Sequence, residues 1–139
     1  MNAPKKPTPE LGRLRVLVVE DQPYMRQIIR QTLERLGVPN GYEAEEGGAA
    51  LKMTVRLRPD IVLCDIHMEP VDGLQYLAQV REFRNEEVAS IPIVFLTADS
   101  AEQTVMQSRK HSVNGYIVKP TNAAKLKENI NRLLGPVIP

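Results

Sequence analysis

A doubly wound α/β fold, a five-stranded parallel sheet in the order 2-1-3-4-5 with five helices over its two faces, is what this sequence predicts. Two observations carry that expectation. Val16-Leu17-Val18-Val19, Ile61-Val62-Leu63-Cys64 and Ile93-Val94-Phe95-Leu96 are apolar without alternation, as in strands buried on both faces, and each leads through a polar turn into a helical pattern. The runs also end on chemistry: Glu20-Asp21, Asp65, Thr97 and, after Tyr116-Ile117-Val118, Lys119. In such a sheet ligands bind beyond the carboxyl ends of the strands, so these side chains would share one crevice.

At 139 residues the chain has the size of one domain. A net charge of +1, with 25% charged and 42% hydrophobic residues and no basic block, argues against nucleic acid as the main partner and for a protein or small molecule. No apolar stretch approaches the roughly 20 residues of a membrane span and no signal segment opens the chain, so no membrane insertion and a cytoplasmic location are expected. The single Cys64 excludes an internal disulfide and a multi-cysteine metal site, and it reads as a small core residue.

Residues 1–12, with Pro4, Pro7, Pro9, Lys5 and Lys6, read as a flexible leader before a domain spanning 13–135. The first strand runs from about Leu14 to Val19. Pro23 opens a helix to about Leu36, with Met25, Ile28, Ile29, Thr32, Leu33 and Leu36 as its buried stripe, Arg26 and Arg30 off it, and Gly37 as stop. Tyr42-Glu43-Ala44 is short and polar, an edge strand. A helix over about 49–57 precedes Pro59 and the third strand, 61–65. After the His67–Gly73 loop, Leu74, Leu77, Ala78 and Val80 support a helix ending near Arg84, and Asn85–Ser90 reads as a connector to the fourth strand. Ser100 is a plausible cap for a fourth helix, 101–110, poor in large apolar residues beyond Val105 and Met106. Strand five is 116–118, and Asn122 caps a last helix with Leu126, Ile130, Leu133 and Leu134 toward the core. Gly135-Pro136 ends it, leaving 136–139 as a short tail with no output domain.

Three carboxylates in one pocket repel one another, and a hard divalent cation with oxygen ligands relieves this, magnesium being the natural candidate and manganese a substitute. A carboxylate beside such an ion and a lysine can attack an activated phosphoryl group to form an acyl phosphate. The negative charges of Glu20, Asp21 and Asp65 are then matched by the ion and Lys119.

Val18-Val19-Glu20-Asp21, Ala44-Glu45-Glu46-Gly47, the segment Asp65 to Gly73, Leu96-Thr97-Ala98 and Gly115 to Pro120 together resemble the receiver domains of two-component signalling, most closely stand-alone chemotaxis-type (CheY-like) response regulators. The resemblance covers about 13–134. It implies Asp65 as phosphoacceptor, Glu20 and Asp21 as metal-binding acids, a metal ligand from the backbone carbonyl of His67, Thr97 as switch hydroxyl, Lys119 as site lysine and Tyr116 as the aromatic that turns inward on activation. It also implies a cis Lys119-Pro120 bond. The expected role is that of a regulatory phosphoacceptor rather than an enzyme. Its phosphoryl group would come from a histidine kinase or a histidine phosphotransfer protein. The fourth helix, fifth strand and fifth helix would form the surface that binds a target or a second copy of the domain, and the first helix, with Arg26 and Arg30, would dock the kinase.

One alternative is a phosphorelay intermediate that passes the group to another histidine. A magnesium-dependent aspartyl phosphohydrolase is less well matched, because His67 stands where such enzymes carry a second aspartate. Glu20 replaces an aspartate, Glu69-Pro70 shifts the loop proline by one place, and Ser112-Val113 and Thr121 also depart from the family's pattern.

Overall fold

The computed structural model describes residues 6–98 and 112–139. All of β3 (Ile61–Asp65) and β4 (Ile93–Thr97) is buried, as is β1 (Arg15–Val19) after its first residue. That burial is the structural counterpart of their unbroken apolar runs. With β2 (Asn40–Ala44) and β5 (Gly115–Val118) they form one parallel sheet in the order β2-β1-β3-β4-β5, the predicted topology. The polar β2 lies at the edge, as its composition requires.

Successive strand residues serve opposite faces of the sheet. Val16, Val18, Ile61, Leu63, Val94, Leu96 and Ile117 pack into one core with Ile29 and Leu33 of α1 (Pro23–Arg35) and Leu126 and Ile130 of the last helix, α5 (Ala123–Leu134). Leu17, Val19, Val62, Cys64, Ile93 and Phe95 pack into the other. They meet Ala50 of α2 (Gly47–Leu57) and Tyr76, Leu77 and Val80 of α3 (Gly73–Arg81) there.

Several boundaries differ from the sequence expectation, each for a local reason. The stripe of α1 is narrower than expected: Ile29 and Leu33 are buried, but Ile28 is 36% exposed, because adjacent helical positions point about 100° apart and only one can face the sheet. α2 starts at Gly47 because the Glu46 carboxylate accepts from Gly48 N at 2.6 Å and Ala49 N at 3.0 Å. α3 opens with a capping box between Asp72 and Gln75 and stops at Arg81 rather than Arg84. The stretch read as a connector contains a four-residue helix, α4 (Glu86–Ala89), capped by the Asn85 side chain. Ser100 and the helix expected over 101–110 lie outside the described residues.

The base of the sheet also departs from expectation. Residues 6–12, expected to be flexible, carry most of a 3-10 turn over Leu11–Arg13 and lay Leu11 against the core. At the other end Val137 and Ile138 of the short tail are buried in that core, and the Asn131 amide bonds both Ile138 N and Ile138 O at 2.9 Å. Neither contact is visible in the composition of these segments. Proline-rich composition disfavours helix and strand but says nothing about burial.

Arg81 organises the rest of the base. Its Nη1 donates to Ala89 O at 2.8 Å and Ile91 O at 2.9 Å, its Nε to Ser112 O at 3.1 Å, and its Nη2 to Asn114 Oδ1 at 2.7 Å. One guanidinium thereby joins α3, α4, and the approaches to β4 and β5. Among the described residues no helix is long and apolar enough to cross a membrane.

Candidate metal and phosphoryl site

The sheet delivers the predicted side chains to its carboxyl edge. Glu20 and Asp21 follow β1, Asp65 ends β3, Thr97 ends β4 and Lys119 follows β5. The carboxylates of Glu20, Asp21 and Asp65 each place an oxygen within 4.8 Å of the others. Glu20 is 1% exposed and Asp65 6%, whereas Asp21 is open to solvent.

Lys119 reaches across from β5. Its Nζ donates to Glu20 Oε1 at 2.8 Å and lies 3.4 Å from Asp65 Oδ1. Burial works to lower the pKa of this ammonium, but the bond to Glu20 and the charges of Asp65 and Glu20 outweigh it and hold the pKa above its usual 10.5. Partial burial and the neighbouring Glu20 push the Asp21 carboxyl above its usual 3.8.

Backbone contacts fix the phosphoacceptor candidate. Asp65 Oδ1 accepts from Ile66 N at 2.9 Å, and Gly73 N donates to Ile66 O at 2.8 Å, folding the loop back onto the strand end. A Cβ at Gly73 would stand 2.5 Å from Asp65 O and 2.9 Å from Ile66 Cα, so only glycine permits this approach. The Cys64 thiol, fully buried beneath, donates to Asp65 O at 3.1 Å.

Thr97 is 3% exposed, and its carbonyl accepts from Lys119 N at 2.6 Å. Tyr116, beside Phe95 in the β4–β5 register, is half-buried against the α2–α3 core. The His67 side chain is exposed in the loop. The Lys119-Pro120 bond is cis, as the resemblance implies, and so is Glu69-Pro70, for which only a shifted loop proline was noted.

The donor set suits a hard cation. It is all oxygen, it carries an excess of negative charge, and Glu20 Oε2 is buried without a hydrogen-bond partner. Glu20, Asp21 and Asp65 are the groups that could hold it.

Arg26 and Arg30, expected as a docking face, are engaged within the domain. Arg26 Nη1 donates to the Glu20 carbonyl at 2.8 Å while its Nε lies 3.4 Å from Glu43 Oε1, an ion-pair contact without hydrogen-bond geometry. Its side chain is only 13% exposed. Arg30 contacts Glu43 at 3.3 Å and Glu34 at 3.8 Å. The sequence held a signal for the first contact: Arg26 is the fourth residue of α1, and helical side chains lean toward the N-terminus, here toward Glu20.

The sequence pattern of the response regulator receiver domain matches residues 16–131. Chemotaxis protein CheY-3 of Vibrio cholerae is 34% identical over 120 residues, which are 86% of this chain and 91% of that protein. CheY of Pseudomonas aeruginosa is 33% identical, over 86% and 95% of the two chains. Among solved structures, Vibrio cholerae CheY4 superposes with a TM-score of 0.79 at 26% identity, covering 87% of this chain and 98% of that one. The receiver domain of the Pseudomonas aeruginosa sensor histidine kinase PA1611, which holds a magnesium ion in its active-site cleft, gives 0.80 at 27% identity, covering 88% and 98%.

Proposed function

Because this chain belongs to the response regulator receiver family, whose CheY-like members are regulatory phosphoacceptors of two-component signalling, we propose that Asp65 is its phosphoacceptor. One observation carries the proposal: Lys119 bridges Glu20 at 2.8 Å and Asp65 at 3.4 Å in the pocket that also holds the Asp21 carboxylate.

Asp65 attacks the phosphorus of a phosphohistidine. The new bond runs from the carboxylate oxygen to phosphorus, the N–P bond breaks, and the imidazole leaves with its electron pair. Ile66 N–H and Lys119 hold Oδ1, presenting the second oxygen of the carboxylate for attack. Magnesium, or manganese, held by Glu20, Asp21, Asp65 and the His67 carbonyl supplies positive charge for the phosphoryl oxygens when bound. Lys119 takes another phosphoryl oxygen, and the Thr97 hydroxyl turns toward the group, freeing space for Tyr116 to move inward. The shape of the surface over β5 and α5 then depends on Asp65, and a target or a second copy binds there; the expected fourth helix lies outside the described residues. Such a cycle belongs in the cytoplasm. Purified protein should take up one phosphoryl group from a small acyl phosphate only with magnesium or manganese present. Labelling that survives excess chelator, read by mass spectrometry, sinks the reading.

The donor's docking face is assigned to α1. Tyr24 is 73% exposed and Ile28 36%, one turn apart on the helix that starts beside Asp21. Apolar contact there, with Arg30 at its margin, suits the helix that presents a phosphohistidine. The likeness to the PA1611 receiver is as near as that to CheY4, 0.80 against 0.79 in TM-score, so transfer onward to a second histidine stands as the alternative output. Phosphotransfer profiled in both directions separates the two.

A further inference from the structure

We infer that Arg26 is a positioning residue for the acid pair: it sets the Glu20-Asp21 peptide so that both carboxylates converge, and its loss weakens cation binding without touching the cation. The inference rests on the functional reading above and goes beyond it.

The backbone of Glu20 is held on both sides. Its N–H donates to Ala44 O of the edge strand at 3.1 Å, and its carbonyl accepts from Arg26 Nη1 at 2.8 Å. The first contact extends the β1–β2 ladder. The second lies beyond the last strand residue, where no ladder remains to orient the peptide plane. That plane decides where Asp21 stands. Glu20 is packed in place, 1% exposed and bonded to Lys119, but the Asp21 side chain is exposed, so its aim depends on the backbone that carries it.

Arg26 suits this task better than a docking one. Its side chain is 13% exposed, and its own N–H joins the first turn of α1 by donating to Gln22 O at 3.0 Å. Glu43 of β2, at 3.4 Å from Nε, and Glu45, at 4.0 Å from Nη2, hold the guanidinium from the far side. A rigid planar fork can contact the Glu20 carbonyl and Glu43 together, which the single ammonium of a lysine does less well. The arrangement ties helix, edge strand and acid pair into one frame.

Charge and position act in opposite directions here. Removing a guanidinium near three carboxylates favours a bound cation, whereas freeing the peptide disfavours it. The test therefore compares variants of equal net charge. Arg26→Met with Glu43→Gln removes one charge of each sign, and Arg26→Lys keeps the charge but loses the fork. Magnesium affinity of each full-length protein is measured by titration calorimetry, with thermal midpoints recorded alongside.

The expected dissociation constant of the double variant is about tenfold above wild type, the scale seen when partners behind a metal's ligands are removed. Arg26→Lys should fall between. Acyl-phosphate labelling of the double variant should recover at saturating magnesium, because Asp65 and Lys119 are intact. Equal magnesium affinity in wild type and double variant, with or without a lowered midpoint, overturns the inference and leaves the phosphoacceptor reading standing. Should the double variant not fold, Arg26→Lys decides alone, and an unchanged affinity there is equally fatal. A wild-type protein that binds no magnesium removes both this inference and the reading beneath it.

Discussion

Arg81 at the base of the sheet and Lys119 at its carboxyl edge are both partly buried cations on the same scaffold, yet they are held in opposite ways. Arg81 meets three main-chain carbonyls and the neutral Asn114 amide, all by hydrogen bonds of 2.7–3.1 Å. Lys119 meets two carboxylates in a pocket that holds a third, and one oxygen of its closest partner, Glu20 Oε2, has no hydrogen-bond partner. Neutral acceptors that take four of a fork's five N–H groups make a joint. Charged acceptors in excess, with one oxygen unmatched, make a site with capacity for another cation.

The largest expected effect lies at the carboxyl edge. Asp65→Asn should abolish acyl-phosphate labelling while leaving the midpoint of urea unfolding nearly unchanged; mass spectrometry showing a labelled variant protein would remove Asp65 from the chemistry. At the base the balance reverses. Arg81→Met strands the Ala89 and Ile91 carbonyls and leaves Asn114 Oδ1 only its bond from Ile93 N at 2.8 Å, so it should cost about 2–3 kcal/mol of stability, with labelling preserved in the protein that remains folded. A variant within error of wild type in urea would show that water replaces the guanidinium without loss.

Lys119→Ala sharpens the contrast further. It leaves the buried Glu20 carboxylate without its ammonium, which should cost about 1–3 kcal/mol in the absence of metal. Saturating magnesium should restore most of that loss, since ligand binding to the folded state stabilises it. Metal affinity should match or exceed that of wild type, because a competing cation is gone. Magnesium should raise the stability of Arg81→Met only as much as that of wild type, leaving the gap between them unchanged, and an equal narrowing of the gap in both variants would erase the distinction drawn between them.

The smallest effect concerns Glu87, which joins Lys6 at 3.3 Å to Arg58 at 2.8 Å. The hydrogen bond and charge of Lys6, then Arg58, hold its carboxyl below the usual 4.5. A depressed carboxylate stabilises the fold above its unfolded pKa, and this contribution fades as pH falls through the folded value. The small advantage of wild type over Glu87→Gln at pH 6 should therefore shrink as pH is lowered below the usual 4.5, followed by denaturant unfolding across that range. An advantage that persists in acid would mean that Glu87 acts through packing.

What could be read in the sequence divides along the same line. The central strands announce themselves because burial on both faces demands unbroken apolar runs, and their acidic or hydroxyl ends announce the site because charge at such a position is costly without a use. Parallel topology then brings Glu20, Asp21, Asp65, Thr97 and Lys119 to one edge. Arg81 gave no such signal and Arg26 only its place in the first turn of α1, since a charged residue on an amphipathic helix reads as solvated face until its carbonyl partners are known. The helix at Glu86–Ala89 is too short to show a period. The docking of Leu11, Val137 and Ile138 depends on which surface the chain ends meet, a tertiary matter that local composition does not encode.

The thiol of Cys64 lies under the phosphoacceptor, wholly inaccessible, and burial followed by the charge of Asp65 raises its pKa well above the usual 9.0. Alkylating reagents attack thiolates, so in the closed protein this sulfur is chemically silent. It is also the only cysteine in the chain. Every alkylation event is thus a timestamp of β3 coming apart, and the molecule carries its own clock for the rarest openings of its central strand.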